Sequence, residues 1–217
     1  KKEPSQLDRL LQLFCTSRFL SHVLFEHPEY YLWLISPGAY GQPLNIDQLI
    51  AERNATLGKA RDILAKLRLL HRWQKRELLH IATRDLWGYA DLETTTNDLS
   101  RLADFLIEPL ADAIFDQFCL KYGTPRTPWC ILGLGKWGGQ ELNYSSDVDV
   151  IFLYDEDGDT TEAGENGMKL THNEFFNRWA GEFIKAVTTP LEGMGLFRMD
   201  ARLRPDGNAG PLVRNLG

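Results

Sequence analysis

The sequence predicts an α+β protein: a helical N-terminal region over residues 1–122, then a smaller core of strands and helices over residues 123–217. Apolar residues recur at three-to-four spacing up to about residue 120 and give way beyond it to short runs rich in β-branched and aromatic residues. Between the two regimes lies Tyr122-Gly123-Thr124-Pro125-Arg126-Thr127-Pro128, which has the glycine and prolines of a junction. A chain of 217 residues, 43% hydrophobic and 25% charged, suffices for one ordinary domain or two small ones with a sizeable core.

The elements follow in order. Ser36-Pro37-Gly38-Ala39-Tyr40-Gly41-Gln42-Pro43 reads as a loop between early helices. Leu57, Ala60, Leu64, Leu67 and Leu70 share one helical stripe, which Leu78, Leu79, Ile81 and Ala82 continue through the stretch Trp73 to Leu86. A third helix carries Leu99, Leu102, Ala103, Leu106, Leu110, Ala113 and Ile114. Thr96, Asn97 and Asp98 offer start signals for it, and Pro109 predicts a kink rather than a stop. Trp129 to Gly133 and Val148 to Tyr154 read as buried strands. Asp155-Glu156-Asp157-Gly158-Asp159, continuing to Glu162 and Glu165, reads as a solvated acidic loop. Thr171 and Glu174 make a capping box for a helix whose buried face is Phe175, Phe176, Trp179, Ala180, Phe183, Ile184 and Val187. Pro190 and Gly193 end it, and Leu196 to Leu203 alternates as a strand.

Composition excludes several function classes. Twenty-four Lys and Arg against thirty Asp and Glu give a net charge of −6, which argues against a general nucleic-acid binder. No apolar run approaches the roughly 18 residues of a membrane helix. The N-terminal segment has no signal-peptide core, so a cytoplasmic location is expected. Cys15, Cys119 and Cys130 are odd in number and lie among apolar neighbours, as buried free thiols do. His22, His27, His71, His80 and His172 lack zinc-ligand spacing and read as surface or locally hydrogen-bonded groups.

The stretch from Leu132 to Val150 carries the chemistry. Gly133, Gly135 and Gly138 spell the dinucleotide fingerprint, with Asp155 about 20 residues on. That reading fails, because a parallel crossover needs about a dozen residues, mostly helix, whereas nine separate Gly138 from Val148 and they include Ser145-Ser146-Asp147. It would also leave Asp149 unpaired in an apolar strand, at a cost of several kcal/mol.

Taken as a carboxylate strand, the same residues make sense. Residues two apart in a strand share a face, so Asp147 and Asp149 stand about 7 Å apart and repel unless a cation lies between them. Hard divalent ions such as Mg²⁺ take carboxylate and phosphate oxygens together. Gly138 and Gly139 allow close backbone approach to a phosphate at the start of a short helix, and Ser145 or Ser146 adds a hydroxyl. This order of groups suits metal-assisted phosphoryl or nucleotidyl transfer. The competing reading, a glycine turn and a surface strand with chance carboxylates, conflicts with the strand's apolar character. Farther on, Arg198, Asp200, Arg202 and Arg204 alternate on one face. Asp200 is the expected third ligand, with guanidiniums placed to hold phosphate oxygens; an exposed face of neutralising Arg–Asp pairs is the alternative. The glycine-rich run 205–211 either lines the site or turns the chain.

Gly135-Lys136-Trp137-Gly138-Gly139-Gln140-Glu141-Leu142-Asn143-Tyr144-Ser145-Ser146-Asp147-Val148-Asp149-Val150-Ile151-Phe152, together with the run from Met199 to Val213, closely resembles the glutamine synthetase adenylyltransferase/adenylyl-removing family. Arg76 to Leu86 is similar to the segment that precedes the catalytic unit there. The resemblance implies a polymerase-beta-type nucleotidyltransferase core in which Asp147, Asp149 and Asp200 bind Mg²⁺. It further implies that Gly138, Gly139, Ser145, Ser146, Arg202 and Arg204 hold nucleotide or phosphate.

Such proteins carry two nucleotidyltransferase domains: one attaches AMP to a tyrosine of glutamine synthetase, the other removes it by phosphorolysis to give ADP. The motifs resemble the N-terminal, adenylyl-removing copy, which implies deadenylylation in the control of nitrogen assimilation. The adenylylating direction from ATP and an inactive regulatory fragment are the alternatives. Implied partners are glutamine synthetase, a P-II-type signal protein, ATP or ADP, and phosphate. With Gly217 only 17 residues past Asp200 and no closing helix in the sequence, the chain reads as a fragment. Trp137 departs from the aliphatic residue expected there and bears on the packing of the glycine turn.

Overall fold

The computed structural model describes residues 5–36, 41–161, 164–165, 167–191, 193–204, 207 and 210–217. Parts of the predicted 36–43 loop (residues 37–40), Glu162 of the acidic loop, and Pro205, Asp206, Asn208 and Ala209 lie outside the described residues.

Six helices precede the sheet: α1 (Gln6–Thr16), α2 (Arg18–Glu26), α3 (Glu29–Leu34), α4 (Ile46–Leu57), α5 (Ile63–Leu86) and α6 (Leu92–Tyr122). Short polar side chains start most of them by accepting an otherwise orphaned backbone N–H. Ser5 and Asp8 form a capping box on α1, and Ser17, Asn45, Asp62 and Asp91 cap α2, α4, α5 and α6.

Two predicted boundaries move for this reason. The stripe begun at Leu57 is not one helix: α4 ends there, and α5 restarts where Asp62 accepts the Ala65 N–H at 2.7 Å. Leu64, expected to be buried, is 48% exposed. Helix α6 starts before Thr96, because Asp91 accepts the Thr94 N–H at 2.8 Å. Asp98 is left free to pair with buried Arg84 at 2.6 Å, and α6 runs on through Pro109 to Tyr122.

Beyond the junction come β1 (Trp129–Leu134), α7 (Gly135–Gly138), β2 (Val148–Tyr154), α8 (His172–Thr188), β3 (Met199–Asp200) and β4 (Val213–Asn215). Strand β2 is central. It pairs antiparallel with β1 from Trp129↔Tyr154 to Leu134↔Asp149, and parallel with β3 (Asp149↔Asp200) and β4 (Phe152↔Val213). Its alternate residues Val148, Val150, Phe152 and Tyr154 are buried. Against this face lies α8, whose capping box forms as predicted. Trp179 meets Phe152 edge-on at 5.8 Å and stacks on Phe183 at 5.8 Å. Phe115 of α6 reaches Trp129, Phe175, Phe176 and Trp179. One apolar core therefore runs from α4–α6 through the sheet to α8, while α1–α3 bury a second cluster against Leu79 of α5.

Other expectations are corrected. The strand predicted over Leu196 to Leu203 contracts to Met199–Asp200, because the Asp200 carboxylate accepts the Arg202 N–H at 2.8 Å and turns the chain. Strand β4 is too short to show an alternating pattern in sequence. Cys15 and Cys130 are exposed free thiols and Cys119 is half-buried. Cys130 lies on the β1 face that points away from α8, so apolar neighbours in sequence do not bury it. His71, His80 and His172 are buried, on helix faces that pack inward; His172 Nδ1 lies 2.7 Å from the Glu156 carbonyl. No described helix is long and apolar enough to cross a membrane.

Replacing fully buried Phe183 by Ala is expected to lower unfolding stability by about 3–5 kcal/mol. Cys130→Ser at the exposed face is expected to change it by less than about 0.5 kcal/mol. Urea unfolding of the two variants checks the assignment of the core.

Candidate active site

The start of β2 gathers the predicted carboxylates. The parallel pairing of β2 with β3 sets Asp149 directly beside Asp200, and paired residues on adjacent strands project to the same face. Asp147 precedes β2 by one residue and is exposed. Like charges so close need compensation, and arginines supply it. Arg198 Nε lies 2.6 Å from Asp147 Oδ1, and the same guanidinium donates to the Ser145 carbonyl, tying the approach to β2 onto β3. Arg202 grips Asp200 with Nε 2.9 Å from both carboxylate oxygens and Nη2 2.5 Å from Oδ2.

These charge-assisted bonds from Arg202 hold the Asp200 carboxyl at a pKa of about 2. Arg202 is in turn shifted up, chiefly by Asp200 and further by Asp147 and Asp149. Its guanidinium thus sits in the field of all three carboxylates. Arg204 donates to the Ala201 carbonyl at 2.5 Å while adding positive potential at Asp200. Asp200 stands beside Asp149, as a third ligand would have to, and it is half of an Arg–Asp pair, as the alternative reading has it. Among the described residues, no three carboxylate, imidazole or thiol groups lie close enough to chelate one ion as they stand.

The glycine turn abuts the carboxylates. Helix α7 begins at Gly135, not at Gly138 as predicted, and at Gly135 the chain takes φ +52°, where a β-carbon would fall 2.8 Å from Asp149 Oδ2. The Asp149 carboxylate therefore rests on the turn itself. Gly138 packs against the Gly133 carbonyl, and Gly139 follows as the C-cap of α7. The next loop is closed by Asn143, whose Oδ1 accepts from the Ser145 N–H at 3.1 Å and the Ser146 hydroxyl at 3.0 Å. The two serines thus help set the path into Asp147.

Sequence reasoning passed over the helical residues that hold this turn. Trp137 is buried with its ring over Gly133, and its Nε1 donates to Asp104 of α6 at 2.9 Å. That bond explains an indole in place of an aliphatic residue. Four residues earlier on α6, the Ser100 hydroxyl accepts the Leu142 N–H at 3.0 Å. From α5, Asp85 accepts the Tyr144 hydroxyl at 3.0 Å, and Gln74 donates to the Leu196 carbonyl. The only signal was spacing: Ser100 and Asp104 stand four residues apart and so share one face of α6, among many other polar residues of that helix. A cavity of about 540 Å³, lined by Gln74, Leu99, Leu102, Ser145, Arg198 and Met199 among others, adjoins these tethers.

A family model described as glutamate-ammonia ligase adenylyltransferase matches residues 7–217. The bifunctional glutamine synthetase adenylyltransferase/adenylyl-removing enzyme of Aromatoleum aromaticum is 38% identical over 209 residues, covering 91% of this chain and 21% of that protein. The proteins of the same name from Thioalkalivibrio sulfidiphilus and Shewanella loihica are each 36% identical, covering 95% and 97% of this chain. The chain spans about a fifth of the length of these curated relatives.

A folded-state pKa below the ordinary carboxylate value means that the Asp200–Arg202 pair stabilises the fold above about pH 4, and that this contribution is lost as pH falls through about 2. Carboxyl-carbon NMR titration is expected to place Asp200 near 2 in the wild type and higher in Arg202→Gln, which loses the side-chain bonds but keeps the backbone N–H bond from residue 202. An unmoved midpoint in the variant would contradict the pairing.

Proposed function

The chain belongs to the glutamate-ammonia ligase adenylyltransferase family, and from that premise we propose that it is the deadenylylating catalytic unit of a cytoplasmic enzyme acting on glutamine synthetase. The observation that carries the reading is the register of Asp149 against Asp200 beside a glycine turn, with the guanidiniums of Arg198 and Arg202 flanking the same short strand. The wording of the motifs favours the phosphorolytic direction, whereas the relatives' names include both activities.

Asp147, Asp149 and Asp200 would hold Mg²⁺: adjacent hard oxygen donors suit that ion, and the guanidinium already drawn into their common field marks a place that favours positive charge. Bound there, Mg²⁺ would neutralise charge developing on the transferring phosphorus. Gly138, Gly139, Ser145 and Ser146 would line the phosphate path, and Arg202 and Arg204 would orient the incoming orthophosphate. An oxygen of orthophosphate attacks the AMP phosphorus, a new P–O bond forms, and the bond to the tyrosine oxygen breaks. ADP forms and the tyrosinate takes up a proton. Orthophosphate is anionic at neutral pH, so the chain's task is alignment and charge balance rather than strong base catalysis. The helices from α1 to α6 would present glutamine synthetase to the site and receive a P-II-type signal protein.

The expected product from adenylylated glutamine synthetase, Mg²⁺ and phosphate is ADP. Asp147→Asn should lower the rate at least about a hundredfold, since several kcal/mol of charge stabilisation are lost. ADP release by the variant at the wild-type rate would overturn the assigned role. Transfer of label from ATP to unmodified glutamine synthetase without phosphate would assign the opposite direction.

A further inference from the structure

Arg198 and Arg202, the two arginines paired with site carboxylates, are built differently. Arg198 bonds to Asp147 and to the Ser145 carbonyl, so it also ties two chain segments together. Among the described residues, the hydrogen bonds of Arg202 go to Asp200, two residues away, and its side chain is 71% exposed. The Nε and Nη2 fork occupies both oxygens of the Asp200 carboxylate, the same oxygens a cation would need. A guanidinium also matches a phosphate edge as well as it matches a carboxylate.

We infer that Arg202 is a resident counter-charge for Asp200 that a divalent cation displaces, and that the released guanidinium then grips the incoming phosphate. The inference rests on the metal-dependent reading of the site. It accounts for three carboxylates adjacent in the backbone whose outer members are turned onto arginines. Cation and phosphate then bind with positive coupling, because loading the carboxylates frees the phosphate ligand, and coupling of this kind is reciprocal. Phosphate meets a prepared site only when the metal is already in place.

The discriminating variant is Arg202→Gln, which removes the guanidinium at an exposed position and leaves Asp200 in place. Competition predicts that the variant binds Mn²⁺ several-fold more tightly than wild type, measured by electron paramagnetic resonance without phosphate. It also predicts that inorganic phosphate binds about tenfold or more weakly in the presence of the metal. In wild-type protein, the Arg202 Nε–H signal should lose its protection from solvent exchange as Mg²⁺ is added. Equal or weaker Mn²⁺ binding by the variant would overturn the exchange and make Arg202 a positioning residue for Asp200. An Nε–H signal unchanged at saturating Mg²⁺ would overturn it as well. Wild-type protein that takes up no Mn²⁺ would overturn the metal reading of the site itself, whereas uptake abolished by Asp149→Asn but not strengthened by Arg202→Gln would overturn the exchange alone.

Discussion

Two carboxylates held side by side by strand pairing are the constraint on which the rest of the molecule depends. Backbone bonds between β2 and β3 fix Asp149 next to Asp200, and Asp149 rests on the glycine turn. Such an arrangement stores repulsion that must be offset by positive charge nearby. Arg198 and Arg202 provide it from the same short segment that carries Asp200. The brevity of β3 follows, because the Arg202 N–H turns back onto the Asp200 carboxylate instead of continuing the ladder.

Holding that charge cluster in place falls to structure outside the sheet. Helix α8 supplies the apolar support beneath β2, with Phe176, Trp179 and Phe183 fully buried. Helix α6 does two jobs along its length. Phe115 and Phe118 join the aromatic cluster at one end, while Ser100 and Asp104 fasten Leu142 and Trp137 nearer the other. A hydrogen bond to a charged acceptor is worth about 1.5–3 kcal/mol, enough to select one orientation of a four-residue helix that could not hold itself. The helical region is thereby part of the site's geometry, which gives a change at the helices a physical route to the carboxylates.

The carboxylates that meet at the start of β2 were more legible in the sequence than the shape that brings them together. The strand Val148 to Tyr154 alternates cleanly because one face is buried, and Asp149 could be located on the opposite face by counting. The capping box of Thr171 and Glu174 was legible for a similar reason, since both signals are local. What escaped was set by contacts distant in sequence. The reach of Asp104 to Trp137, the burial of His71 and His80, and the pairing of β4 with β2 depend on how helices and strands meet. Capping chemistry overrode periodicity at Asp62 and Asp91, and a side chain turning on its own backbone cut short the strand predicted around Asp200.

The central claim is that these carboxylates jointly hold a divalent cation. Anomalous diffraction from crystals soaked in Mn²⁺ tests it most directly. The account predicts a peak among the carboxylates of Asp147, Asp149 and Asp200, with the Arg202 guanidinium displaced from Asp200. A peak seated elsewhere, or density with Arg202 still closed on Asp200 at saturating Mn²⁺, would contradict it.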